Sequence, residues 1–206
     1  MRHDALFDRA LEQQHLRPLD IAFARFLAER DAQLAPALSW LAALLSRQLA
    51  DGHLCLDLDM LPALAQEQDW PDDWRALADS LDEDGHLRLP ASPLLATNGD
   101  GEPADAPLVL DGTRLYLRRY WNHERSVAQG ILARVTRDEA PAAHFADELA
   151  RLFPDAASPD WQRVACALAA RGAFGVITGG PGTGKTTTVV RLLGLLQTLQ
   201  LRSHVQ

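Results

Sequence analysis

The sequence predicts an α/β protein: a mainly helical amino-terminal domain with short β-hairpins, then the beginning of a phosphate-loop domain that the chain leaves incomplete. Three observations predict it. Apolar residues recur at three- and four-residue spacing through the first 50 positions, the period of an amphipathic helix. Around Leu54–Leu58 and Leu108–Leu117, short apolar runs flank Asp-Gly pairs, as strands do beside turns. Finally, Gly179, Gly184, Lys185 and Thr186 fill the pattern G-x-x-x-x-G-K-[ST] between an apolar run and a helical repeat.

Taken in order, Leu6, Ala10 and Leu11, then Ile21, Phe23, Phe26 and Leu27, predict two short helices broken at Pro18. A third helix is expected over Leu34–Leu49, with a wide apolar stripe that includes Trp40 as a core or interface residue. Gly52–Leu58 alternates as a half-buried strand does, and Asp84–Leu89 echoes it. Asp-Gly turns produce such echoes by themselves, so His53 and His86 are not taken as metal ligands. Pro90–Pro107 is dense in Pro, Gly, Ala and Asp and reads as an exposed linker. A hairpin follows, Leu108–Leu110 and Leu115–Leu117 about Asp111-Gly112, then a basic helix over Arg118–Val135 and an amphipathic one over Ala142–Phe153. Ser158, Pro159 and Asp160 read as cap, first turn and dipole partner of a helix stopped by Gly172. The division expected is 1–107, with its linker at 90–107, and 108–206.

The phosphate loop has a physical logic. Backbone N–H groups must turn inward around an anion, through conformations that a Cβ resists, so glycines are needed. The following helix aims its dipole at the same anion. Phe174–Thr178 ahead of the loop is expected to be a buried parallel strand, and Val189, Val190, Leu192, Leu193, Leu195, Leu196 and Leu199 behind it give a helix. The chain's one lysine is Lys185, against 19 arginines. A compact ammonium on a flexible stem fits between phosphates where a planar guanidinium does not.

Charge divides unevenly. Residues 1–110 carry 20 acidic and 8 basic side chains, whereas residues 111–206 carry 8 and 12. The first half is a poor candidate for gripping a nucleic-acid backbone, and a protein partner is expected there; Trp40, Trp70 and Trp74 are candidates for that interface. Cys55 and Cys166 lie far apart without metal-ligand spacing, and both are expected to be reduced core thiols of a cytoplasmic protein. The amino terminus has no apolar signal region and no run has the length of a membrane helix.

The stretch Asp160–Ala165 followed by GVITGGPGTGKTTTVVRLL closely resembles the RecD family, the alpha subunits of bacterial exodeoxyribonuclease V within superfamily 1 of the DNA helicases. The likeness extends to LRPLD at 16–20, GHLCLDL at 52–58, SPLLAT at 92–97 and RLYLRRYWNHERSVA at 114–128. It implies a motor of two RecA-like domains moving 5′ to 3′ on single-stranded DNA, working with RecB-like and RecC-like subunits in a helicase-nuclease that repairs double-strand breaks. Residues 108–206 would be the start of the first RecA-like domain. The resemblance assigns ATP to Gly179, Gly180, Pro181, Gly182, Thr183, Gly184, Lys185, Thr186 and Thr187, with Lys185 and Thr186 catalytic and Thr186 on Mg²⁺. It assigns to Gln162 the helicase glutamine that reads adenine.

The remaining motor motifs of that family are not in these 206 residues, so this chain alone is expected to lack competent hydrolysis. Two other readings stay open: a non-catalytic docking module that acts through its acidic half, and an unrelated phosphate-loop enzyme.

Overall fold

A computed structural model describes residues 3–83, 86–97, 105–135, 144–154 and 159–203. The chain divides into two compact units, Met1–Arg125 and Ser126–Gln206.

In the first unit, helices α1 (His3–Glu12), α2 (Pro18–Arg30) and α3 (Pro36–Ala50) form as the periodicity predicts. Pro18 and Pro36 both occupy first turns, where a missing N–H costs nothing. From Ala37 to Leu45 every residue of α3 is buried, which makes it the helix around which the others pack. Two further helices, α4 (Leu61–Glu67) and α5 (Asp72–Asp79), lie outside the sequence expectation. Trp70, between them, and Trp74 of α5 stand with Trp40 of α3 in edge-on pairs with ring centroids 5.4–5.8 Å apart. All three indoles are buried, at 0%, 2% and 1% exposure. The tryptophans are therefore core and offer no docking surface, contrary to the expectation from their size alone.

One polar network sits in this apolar surround. The Asp20 carboxylate is fully buried and accepts from the Arg17 backbone N–H at 2.8 Å, the Arg17 guanidinium at 2.7 Å and the Ser46 hydroxyl at 2.6 Å. Burial alone would raise its pKa, but these donors together outweigh burial and hold it below the usual carboxylate value. The network closes the first turn of α2 and ties that helix to α3.

The sheet is small and mixed. Strands β1 (Leu56–Asp57), β4 (Leu95–Thr97), β5 (Leu108–Asp111) and β6 (Arg114–Leu117) run in the order β1-β6-β5-β4, with β4 and β5 parallel and the other pairs antiparallel. A separate pair, β2 (Asp82–Glu83) and β3 (His86–Leu87), is antiparallel, and residues 84–85 lie outside the described residues. The β5–β6 register, Leu108↔Leu117 to Asp111↔Arg114, places the two-residue turn at Gly112-Thr113, one position later than expected. Alternation then sorts the faces. Leu108, Leu110, Leu115 and Leu117 join the helical core, while Val109 and Tyr116 face Trp121 and Cys55 on the other side. Burial there pushes the Tyr116 phenol up to about 12.

Two expectations change here for one reason. Part of the linker at 90–107 is strand β4, with Leu95 and Ala96 buried, and the hairpin belongs to the first unit. Strand pairing decides both: β5 needs β4 on one edge, and β6 needs β1 beside it. The Gly52–Leu58 strand is also shorter than its alternation suggests, because Leu58 begins a single 3₁₀ turn, Leu58–Met60.

Helix α6 (Arg118–Val135) has the expected bounds and contributes to both units. The second unit holds α7 (Phe145–Leu152), α8 (Trp161–Ala169) and α9 (Lys185–Ser203) around Leu149, Phe153, Cys166 and Leu195. Glu148 is buried between Arg151 at 3.0 Å and Arg202 at 2.5 Å, which binds the end of α9 to α7. The α8 cap is Asp160, whose carboxylate accepts from the Gln162 and Arg163 N–H groups at 2.9 and 3.2 Å. Ser158 lies outside the described residues. The helix closes at Ala170, before Gly172.

Phe174–Thr178 is not a strand. Phe174 and Val176 are 40% and 71% exposed. A strand exists by pairing, and the sheets of the described residues lie within 56–117; none offers this run a partner inside its own unit.

Candidate phosphate-loop site

The loop leads from the extended run at 174–178 into α9, whose first residue is Lys185. Gly182 and Gly184 have φ of +75° and +79°, a region that side chains with a Cβ adopt at a cost. Thr183 closes the tip, its hydroxyl donating to the Gly180 carbonyl at 2.9 Å. A Cβ on Gly179 would stand 2.6 Å from the Thr183 hydroxyl, and one on Gly184 would stand 2.5 Å from Gln162 Nε2. The glycines are thus set by both conformation and space.

Lys185 curls back over the loop. Its Nζ donates to the carbonyls of Gly179 and Gly180, both at 2.6 Å, so the ammonium stands at the mouth and holds the loop closed upon itself. Thr186 and Thr187 are exposed beside it, and Pro181 is exposed at the tip. The third threonine of the run differs. Thr188 is 3% exposed, and its hydroxyl donates to the Gly184 carbonyl at 3.0 Å while its own carbonyl accepts from the Cys166 thiol at 3.3 Å. It builds the helix start and its seam with α8. Burial pushes the Cys166 thiol up, partly offset by the Arg191 charge.

Gln162, 21 residues before Thr183, comes to the loop's shoulder. Its Nε2 donates to the Thr183 carbonyl at 3.4 Å and its Oε1 accepts from Arg191 Nη1 at 3.4 Å. The Arg191 guanidinium in turn covers the Phe153 ring at 4.5 Å from its centroid. The sequence reading named Gln162 but missed Arg191, Phe153 and Thr188. Spacing carries a trace of one of them: Arg191 lies three residues after Thr188, on the side of α9 that α8 covers.

These groups fit a nucleotide phosphate tail. The loop supplies glycines where a Cβ would strike Thr183 or Gln162, a helix start, a cation held on backbone carbonyls, and two exposed hydroxyls. A side-chain amide stands at one edge with hydrogen-bonding capacity to spare. Residues 179, 180, 181, 182, 183, 184, 185, 186, 187 and 162 are thereby gathered in one place.

The described residues contain no helix long and apolar enough to cross a membrane. A family model described as RecBCD enzyme subunit RecD, N-terminal domain, matches residues 12–116. Among curated proteins, the RecBCD enzyme subunit RecD of Mycolicibacterium smegmatis is 38% identical over 188 residues, covering 85% of this chain and 30% of that protein. The protein of the same name from Mycobacterium tuberculosis is 39% identical over 174 residues, covering 82% and 25%. That of Haemophilus influenzae is 41% identical over 98 residues, covering 46% and 15%. The chain spans under a third of the length of these relatives.

Proposed function

The chain belongs to the RecD family by its amino-terminal domain, and from that premise we propose that it is the front part of an ATP-dependent 5′–3′ DNA helicase subunit. In this reading the subunit acts in the cytoplasm with RecB-like and RecC-like subunits on broken DNA ends, and 179–187 begin its RecA-like motor. The single observation that carries the proposal is the meeting of Gln162 with the phosphate loop across 21 residues, since an amide beside such a loop serves to select a base.

Bound ATP with Mg²⁺ would supply the phosphoryl group whose cleavage drives movement. The protein's part is positioning. Lys185 would exchange the Gly179 and Gly180 carbonyls for phosphate oxygens, which are stronger acceptors for an ammonium than neutral carbonyls. Thr186 would offer its hydroxyl to the metal, and Thr187 and the loop N–H groups would hold the tail. Gln162 can offer an acceptor and a donor together, the pair that matches the amino group and ring nitrogen of adenine. Replacing Gln162 with Ala should weaken ATP binding by about 10-fold to 100-fold, the value of such a bidentate pair, and leave UTP nearly unchanged. Competitive nucleotide binding measures it; equal weakening of both nucleotides would give Gln162 a purely structural role.

The acidic charge of the first half favours a protein partner over a phosphate backbone. The tryptophans do not form that surface, since they are core. Purified residues 1–125, the compact unit, should bind a RecC-like subunit across a salt series and bind single-stranded DNA weakly. Tight, steeply salt-dependent DNA binding without partner binding would reverse the assignment.

A further inference from the structure

Arg191 has no part in the phosphate loop, yet it touches the residue that stands for base recognition. Its guanidinium is fixed from below by Phe153, which is 4% exposed and belongs to the core of the second unit. From that platform Nη1 reaches Gln162 Oε1 at 3.4 Å.

The chemistry of the two partners dictates which way the Gln162 amide points. A guanidinium is donor-only, so the end facing Arg191 must be the amide oxygen. The Thr183 carbonyl is acceptor-only, so the end facing it must be the amide nitrogen. A flipped amide would set donor against donor and acceptor against acceptor. Both partners favour the same orientation, and together they leave one oxygen lone pair and one N–H unspent. Those are the acceptor and donor that an adenine edge needs, in a fixed order along the amide.

We propose that Arg191 is a positioning residue for base selection, setting the orientation of the Gln162 amide from the Phe153 platform. The inference rests on the reading of Gln162 given above. It places nucleotide preference in a relay from the α7 end through α9 to the loop, with no direct contact required between Arg191 and the nucleotide.

The test uses the intact subunit and competitive binding of ATP and UTP. Arg191→Met keeps an unbranched apolar stem while removing the guanidinium, and with it the donors and the contact over the Phe153 ring. It should lower the ATP-over-UTP preference about threefold to tenfold, the net worth of one ordinary hydrogen bond, with UTP affinity unchanged. Arg191→Lys, which keeps a donor-only head, should restore much of the preference. In a Gln162→Ala background, Arg191→Met should change the preference no further. Arg191→Gln, whose amide can face Gln162 in either sense, carries the same expectation of lost preference should Arg191→Met not fold. If Gln162→Ala abolishes the preference but Arg191→Met or Arg191→Gln leaves it intact, the positioning role is wrong. If Gln162→Ala itself leaves the preference intact, the reading of Gln162 fails. Equal weakening of ATP and UTP by the Arg191 variants would make Arg191 a packing residue and overturn the inference.

Discussion

In the intact subunit, Lys185→Ala is expected to lower the proposed ATP hydrolysis and translocation by at least about 100-fold, the loss that follows removal of one preorganised electrostatic partner of a reacting anion. The expectation follows from where the ammonium stands. It is held at the loop mouth by two carbonyls at 2.6 Å, weaker acceptors for an ammonium than the phosphate oxygens proposed to replace them. Alanine would leave those carbonyls to solvent and remove the one ammonium side chain these residues offer the phosphates, since the other 19 Lys or Arg residues are arginines. Assembly with partner subunits should persist, because Lys185 belongs to the second unit and docking is proposed for the first. Steady-state ATP turnover of the purified variant is the measurement. Near-normal turnover would remove the loop from the mechanism.

Trp40→Ala destabilises the first unit by about 3–5 kcal/mol, the usual cost of removing a large core aromatic. Trp40 is fully buried on a helix that is itself buried, and it makes edge-on contacts with both Trp70 and Trp74. Such pairs add about 0.5–1.5 kcal/mol beyond the area they hide. Because the whole stability of a domain is about 5–15 kcal/mol, the variant should lose a large share of it. Trp40→Phe is the informative comparison. The Trp40 indole N–H has no hydrogen-bond partner among the described residues, whereas that of Trp70 donates to Gln68 at 3.1 Å. Phenylalanine at 40 therefore removes an unsatisfied group along with some volume, and should cost less than Phe at 70. Urea unfolding of residues 1–125, followed by helix signal, reads both effects. A wild-type midpoint for Trp40→Ala would contradict the core assignment.

Much of this was legible before any coordinates. The helices α1, α2, α3 and α6 follow from periodicity and proline placement, because a strong 3.6-residue pattern is a local signal. The phosphate loop is equally local, and so is Gln162 in the first turn of α8. What escaped was set by distant pairing. Leu95–Thr97 reads as linker until β5 supplies its ladder, and Phe174–Thr178 reads as a strand although no strand among the described residues of its unit pairs with it. Helices α4 and α5, of 7 and 8 residues, are too short for periodicity to declare them, and Trp70 between them and Trp74 of α5 pack on Trp40 of α3. Size and count alone suggested that those tryptophans had surface to spare. Arg191 is the clearest case in the site. Its identity and place on α9 are plain in the sequence, but its meaning depends on Phe153 beneath it and on the amide it faces.

The central claim is that Gln162 and residues 179–187 form one adenine-nucleotide site. Its most direct test is the structure of the intact subunit bound to a non-hydrolysable ATP analogue and Mg²⁺. The account predicts the phosphate tail inside the loop, Lys185 Nζ drawn from the Gly179 and Gly180 carbonyls onto phosphate oxygens, and the Gln162 amide on the adenine edge. A nucleotide seated elsewhere, with Lys185 still on its two carbonyls and the loop unchanged, would contradict it.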